Sequence, residues 1–172
     1  PETVAEEFIV GSIDLTNPNS IPTEIAVGVV GFETPDSVVA AATGTANYTG
    51  VGVMAFISAN TYNTAGMQAN FAVNFTNSTI SGSVDIDDPL TNPSTYNFAT
   101  VNVPQTALTG NGFSAQPTVT VNNPGDNTYT FNNETINGTF YGDNSEVLAG
   151  VLSADYTENG APGVALGTYW GH

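Results

Sequence analysis

The sequence predicts an all-β protein, an antiparallel barrel or sandwich with a strand-like N-terminal extension. Short apolar alternations recur about every eight to twelve residues, and Gly, Asn, Pro and Asp separate them. β-Branched and aromatic residues dominate these segments, and they favour strands over helices. Many short, regularly spaced strands are typical of barrels and sandwiches.

The N-terminal part differs in composition from the rest. Residues 7–15 and 24–32 have strand patterns, and the turn-rich stretch TNPNSIP lies between them. Residues 37–44 favour either one helical turn or a linker. We therefore predict that residues 1–44 form an extension, able to pair with a sheet edge, and that residues 45–172 form the barrel.

The barrel strands follow one another along the chain. The clearest prediction is a hairpin of residues 67–75 and 78–86, in which apolar residues alternate around the turn at Thr76 and Asn77. Asn159-Gly160 predicts a second tight hairpin, because both residue types tolerate a positive φ. The other predicted strands cover residues 48–58, 106–110, 117–121, 127–131, 135–142, 146–156 and 163–170.

Charge excludes several classes of function. The chain of 172 residues has no Lys or Arg and 16 acidic residues, which gives a formal net charge of −16. Binding to nucleic acid or to an anionic membrane surface requires basic side chains, so neither is expected. The partners that remain are neutral, cationic or apolar molecules and metal ions. No apolar run is long enough for a membrane-spanning helix, so direct membrane insertion is not expected either.

The sequence starts with PETVAEEF and no Met, which suggests a mature or trimmed chain. We expect any export signal or lipid-anchoring Cys to lie upstream of it.

The acids in DIDDP are the leading candidate metal site, ahead of Glu6 with Glu7 and of Asp143 with Glu146. Asp85, Asp87 and Asp88 lie at a strand end, where alternate carboxylates can bind Ca²⁺. The alternative is that they are solvated acids of a turn. Ca²⁺ is the cofactor left open.

Haem is not expected, since its propionates would find no Arg or Lys and His172, the only histidine, is terminal. Four tyrosines could ligate haem iron, but Tyr is ordinarily a barrel residue with a solvated hydroxyl; they are Tyr48, Tyr62, Tyr141 and Tyr169.

Catalysis is not expected from this composition. Nucleophilic chemistry lacks an internal His, a Lys and a Cys, and no pair of carboxylates stands out for hydrolysis. The ligand-binding residues remain unassigned at this stage.

The segment INGTFYGDNSEVLAGVLSA resembles the signature hairpin of the transferrin-binding protein B-like β-barrel family. Four other segments resemble further parts of the family pattern and occur in the same order as in the family: ANYTG, ANFAVNFTNSTISGSVD, LTGNGFSA and GVALGTYWG. Asp143, where the family prefers Pro, and Leu152, where it prefers Phe, depart from the pattern. The hairpin positions that match are Gly138, Phe140, Tyr141, Gly142, Asn144, Glu146 and Gly150.

The resemblance implies an all-β fold, an antiparallel up-and-down barrel of about eight strands, on a secreted or surface-anchored protein of Gram-negative bacteria. The motif itself is expected to be structural, because its glycines and aromatics suit strand crossing and lumen filling.

Two functions follow from these observations. The first is a non-catalytic extracellular or cell-surface binding module that engages a protein or small ligand through its loops. The loops predicted for binding are residues 58–66, 87–97 and 121–127. The alternative is a structural subunit of an extracellular filament, sheath or surface layer, self-associating by β-strand addition of residues 7–15 with or without Ca²⁺.

Overall fold

The computed structural model describes residues 5–12, 24–58, 62–87, 97–122, 125 and 127–172, with backbone only for 5–12 and 24–26. Its elements are β1 (Ala5–Ser12), β2 (Glu24–Gly31), α1 (Asp36–Ala41), β3 (Thr45–Ser58), β4 (Tyr62–Asn74), β5 (Thr79–Asp87), β6 (Asn97–Ala107), β7 (Gly112–Ala115), β8 (Thr118–Val121), β9 (Tyr129–Tyr141), β10 (Val147–Glu158) and β11 (Ala161–Gly171). No helix in these ranges is long and apolar enough to cross a membrane.

Strands β3 to β11 form one curled antiparallel sheet. Its order is β7-β9-β10-β11-β3-β4-β5-β6-β8, so consecutive strands β7 and β8 stand at opposite edges. Only Gln116 and Pro117 separate them; β7 pairs with β9, and β8 pairs with β6. Pro117 has no N–H for a sheet ladder, which suits the point where the pairing changes sides. With β7 and β8 taken as halves of one strand, the predicted eight-stranded barrel is confirmed.

Most predicted barrel strands match an observed one. Two predictions were wrong in extent: β6 begins at Asn97 rather than at Thr106, and residues 127–131 and 135–142 belong to the single strand β9. β9 and β10 lose register between Ser153 and Asp155. Opposite this shift Asn133 has φ 55°, which a β-bulge accommodates. The polar interruption in the sequence is therefore a bulge and not a turn.

Side chains fill the barrel lumen. On β4, Ala65, Met67, Ala69, Phe71 and Val73 are buried and the residues between them are largely exposed, as a period of two requires. The Phe71 ring lies 5.2 Å from Tyr169 and 5.7 Å from Phe113, centroid to centroid. Aromatic packing across strands therefore supplies much of the core.

The outer face of β3, β10 and β11 is partly buried as well. Ala55, Ala149 and Thr168 point outward, yet each has 0% of its surface exposed. The antiparallel hairpin of β1 and β2 lies against β10 and β11. The hairpin therefore covers part of the outer face of β10 and β11.

The predicted strand-like extension therefore forms a hairpin of its own, and it reaches the barrel sheet at the end of β9. There the Thr34 amide donates to the Phe140 carbonyl at 2.8 Å, and the Gly142 amide donates to the Phe32 carbonyl at 2.9 Å. The helical turn predicted for residues 37–44 is α1.

Candidate binding site at the loop end of the barrel

The topology gathers the predicted binding loops at one end of the barrel. Strands β3, β5, β8 and β10 all finish at this end, which we call the loop end; the opposite end, with the short turns at 75–78, 108–111 and 142–146, is the turn end. The predicted loops 58–66, 87–97 and 121–127 all fall at the loop end. The first was wrong in extent, since Tyr62–Gly66 belongs to β4. Residues 59–61, 88–96, 123–124 and 126 lie outside the described part of the chain.

A hydrogen-bond network fixes the base of the β8–β9 loop. The Tyr129 hydroxyl donates to Glu158 Oε1 at 2.8 Å, and Asn127 Nδ2 donates to the same oxygen at 2.9 Å. Asn159 closes the network, since its Nδ2 donates to Asn127 Oδ1 at 2.8 Å and its Oδ1 accepts from the Thr128 amide at 2.9 Å. Burial and then the bond to Glu158 raise the pKa of Tyr129, so its hydroxyl stays a donor at neutral pH.

A second network fixes the base of the β5–β6 loop. Asp85 Oδ1 accepts from Thr100 Oγ1 at 2.8 Å and from Asn97 Nδ2 at 3.0 Å. Asn122 Nδ2 donates to Asn97 Oδ1 at 2.9 Å and to Thr100 Oγ1 at 3.0 Å. Both longer loops therefore start and end on anchored strand ends.

The predicted metal ligands are only partly in view. Asp85 and Asp87 lie two positions apart on the outer face of β5, and Asp88 lies outside the described residues. Where the structure describes side chains, no three acidic or histidine residues come together in a group able to bind a metal ion. Asp85 already bonds to Asn97 and Thr100. Ca²⁺ binding at Asp85, Asp87 and Asp88 stays a prediction.

The signature hairpin lies away from the loops, in the wall of the barrel. Gly138 and Gly150 are directly paired, and Tyr169 is paired with Gly150 from the other side. A Cβ would stand 2.6 Å from the Tyr169 hydroxyl at Gly138 and 2.7 Å from it at Gly150, so the tyrosine occupies the space that the glycines leave. That hydroxyl donates to the Asn137 carbonyl at 3.0 Å. In this structure the hairpin serves packing.

Three of the other four residues weighed for haem have structural contacts. The Tyr48 hydroxyl donates to the Ser145 carbonyl at 2.6 Å inside the protein. His172 stacks on Trp170, with centroids 5.8 Å apart. Tyr141 is buried beside the bridge from Glu33, whereas Tyr62 is 44% exposed.

Sequence reasoning missed both networks. In the network at the β8–β9 loop, the sequence assigned a role only to Asn159, as a turn residue. It assigned none to Asn127, Tyr129 or Glu158. Their meeting depends on the pairing of Glu158 with Tyr129, which the bulge in β9 sets. The bulge signal was present, as two adjacent Asn residues, Asn132 and Asn133, inside one strand.

The curled antiparallel sheet with a filled lumen and loops gathered at one end defines a β-barrel lobe. A family model described as the C-lobe and N-lobe β-barrels of Tf-binding protein B matches residues 41–168. The chain belongs to this family, which confirms the resemblance seen in the sequence. No curated protein matches the sequence.

Solved structures agree on the fold. The chain is similar to a crystal structure of a single mutant of Transferrin Binding Protein B from Haemophilus parasuis, with 18% identity and a TM-score of 0.65, over 98% of this chain and 32% of that chain. A double mutant of the same protein gives 16% identity and a TM-score of 0.56, over 99% and 37% of the two chains. The chain thus spans about a third of the length of these two structures.

Proposed function

We propose that this chain is a non-catalytic binding module that engages a protein partner through its loop end, at a bacterial cell surface or outside the cell. The observation that carries the proposal is the convergence of the longer loops on one end, each anchored by a hydrogen-bond network at its base. A rigid barrel that presents variable loops is a common design for recognition. Membership in a family of lobes from a binding protein supports the same reading.

Residue chemistry supports the non-catalytic part of the proposal. The chain has no Lys, Arg or Cys, and its single His is at residue 172. A general base, a nucleophile or a cationic oxyanion clamp would have to come from carboxylates and hydroxyls alone.

A protein partner fits better than a small ligand held inside the barrel. The lumen is filled by the largest fully buried side chains, which include Tyr169, Phe140, Met54 and Met67. With a net charge of −16, the chain favours a partner with a neutral or basic surface. Transferrin is the first candidate, because the family and the similar structures carry its name.

Loop replacement tests this proposal. In one variant an equally long Gly-Ser linker replaces residues 88–96; in the control Gly-Ser replaces Asp143 and Asn144 at the turn end. We expect the first to weaken transferrin binding about tenfold or more, in biolayer interferometry at about 0.15 M salt, and the control to match the wild type. Equal binding by both variants would reject the loop end as the site. No binding by the wild type would reject transferrin.

A structural subunit that self-associates by β-strand addition remains the second proposal. It is supported by the two-stranded β1–β2 sheet, which is separate from the barrel sheet, and by Val30 and Phe32, which are 55% and 71% exposed. Light scattering after size exclusion, with Ca²⁺ and then with EDTA, tests it. Assemblies that disappear in a Val30→Thr, Phe32→Ser variant would support it, and a monomer in both buffers would exclude it.

A further inference from the structure

A row of side chains crosses five strands on the outer face near the loop end, and it includes one carboxylate. Direct pairing places Asn132, Asp155, Val164, Ile57 and Tyr62 side by side on β9, β10, β11, β3 and β4. Directly paired residues point to the same face of a sheet. The row therefore runs from an amide and an acid, over two aliphatic side chains, to an aromatic ring.

This row is open to solvent and concave over part of its length. Val164 is 41% exposed and Tyr62 is 44% exposed, although the neighbouring Ala55 and Thr168 are covered. A groove of about 480 Å³ is lined by Asp155, Val164, Ile57 and Asn132. Single exposed apolar residues are ordinary on protein surfaces, but an aromatic and two aliphatic residues in register beside a carboxylate form a surface that suits a ligand.

Asp155 is oriented and still has acceptor capacity. Asn133 Nδ2 donates to Asp155 Oδ2 at 2.7 Å, from the bulge where Asn133 has φ 55°. A carboxylate offers about four acceptor positions, so this one bond leaves room for a bidentate cation. The chain has no Lys or Arg, so a cationic side chain that pairs with Asp155 must come from another molecule.

We propose that this row binds an extended, arginine-bearing segment of a protein partner. The inference deepens the proposed function, on which it rests for the partner being a protein. Three interstrand spacings separate Asp155 from Tyr62, about 14 Å. An extended peptide repeats side chains on one face about every 6.7 Å, so positions 1, 3 and 5 cover the same length. A guanidinium at position 1 pairs with Asp155, and apolar side chains at positions 3 and 5 pack on Val164 with Ile57 and on Tyr62.

A peptide titration tests the row without any knowledge of the natural partner. The probe is acetyl-Arg-Ser-Leu-Ser-Leu-amide, and its control carries citrulline in place of arginine, which removes the charge and keeps the shape. We expect amide shifts in the NMR spectrum of the labelled protein at Asp155, Val164 and Ile57. The citrulline peptide should bind about three- to fivefold more weakly, as for an exposed ion pair.

Matched variants separate local pairing from the overall charge. Asp155→Asn and Asp143→Asn remove one charge each, but Asp143 lies at the turn end. Asp155→Asn should weaken the arginine peptide about three- to fivefold and leave the citrulline peptide unchanged, whereas Asp143→Asn should change neither. Val164→Thr, which keeps a β-branched shape in the strand, should weaken both peptides.

Three outcomes would overturn the inference. Shifts confined to other surfaces, equal weakening by the two Asp variants, or no binding of the arginine peptide would each reject the row. If the row fails while loop replacement abolishes transferrin binding, the proposed function stands without it. If the peptides bind as expected while loop replacement has no effect on transferrin binding, peptide binding at the row is supported and the loop end is rejected as the transferrin site.

Discussion

Gly150 occupies a position in the barrel wall where even one methyl group lacks space. It pairs with Gly138 on β9 and with Tyr169 on β11. A Cβ added at Gly150 would stand 1.9 Å from the Asn137 carbonyl oxygen and 2.7 Å from the Tyr169 hydroxyl. The tyrosine has 0% of its surface exposed, so it has no open space to enter. Gly150→Ala must therefore push β9 and β10 apart or displace Tyr169.

The cost follows from two contributions. Overpacking of a close-packed region costs about 1–3 kcal/mol. Displacing Tyr169 also weakens the bond to the Asn137 carbonyl, which contributes about 1 kcal/mol more. We expect Gly150→Ala to lower the free energy of unfolding by about 2–4 kcal/mol, which corresponds to roughly 5–15 °C in Tm for a chain of this size.

Urea denaturation followed by far-UV circular dichroism measures this loss, and Gly28→Ala is the matched control. Gly28 lies in β2 with no heavy atom within 4 Å of the added Cβ, so its substitution should change stability by less than about 0.5 kcal/mol. Equal stability of the two variants, or a loss below about 1 kcal/mol at Gly150, would refute the packing argument.

Two further predictions concern hydroxyl and carboxylate bonds. Tyr48→Phe removes the buried bond to the Ser145 carbonyl and should cost about 1–2 kcal/mol in urea denaturation. Burial, and then the charge of Glu146, raise the pKa of Tyr48 to about 12 from 10.0. As the pH rises, the unfolded chain loses the Tyr48 proton before the folded chain does, so the free energy of unfolding should fall between pH 10 and 12. It should fall less in Tyr48→Phe. An identical dependence of the free energy of unfolding on pH in the two proteins would contradict this assignment. Glu158→Ala removes the acceptor of the Asn127 and Tyr129 hydrogen bonds at the base of the β8–β9 loop. Amide hydrogen exchange over residues 127–130 should accelerate about tenfold, with little change in Tm. Unchanged exchange would show that the network does not hold the loop.

Local patterns were sufficient to predict most of the barrel. The alternation around Phe71 predicts β4 because one face of that strand is buried and the other is solvated. Asn159 and Gly160 predict their turn because both adopt a positive φ, 51° and 84°. Family motifs added the strand number, which no single hairpin specifies.

Other features depend on contacts that are distant in sequence. β6 contains Asn97, Asn102 and Pro104, which disfavour strands, so its pattern is weaker than that of β4; its position between β5 and β8 makes it a strand. The edge change at Pro117 depends on barrel closure. Likewise, the row from Asp155 to Tyr62 exists only once five strands are in register, and one shifted residue would turn its side chains into the lumen.

A hydrogen-exchange footprint of the wild-type chain, with and without transferrin, tests whether the barrel binds through its loop end. We expect protection at the loop end, in residues 88–96 and 121–128 and along the strand ends that carry them. The turn end at residues 75–78 and 142–146 should exchange unchanged. Protection confined to the turn end or to the β1–β2 hairpin would contradict the claim that this barrel binds through its loop end.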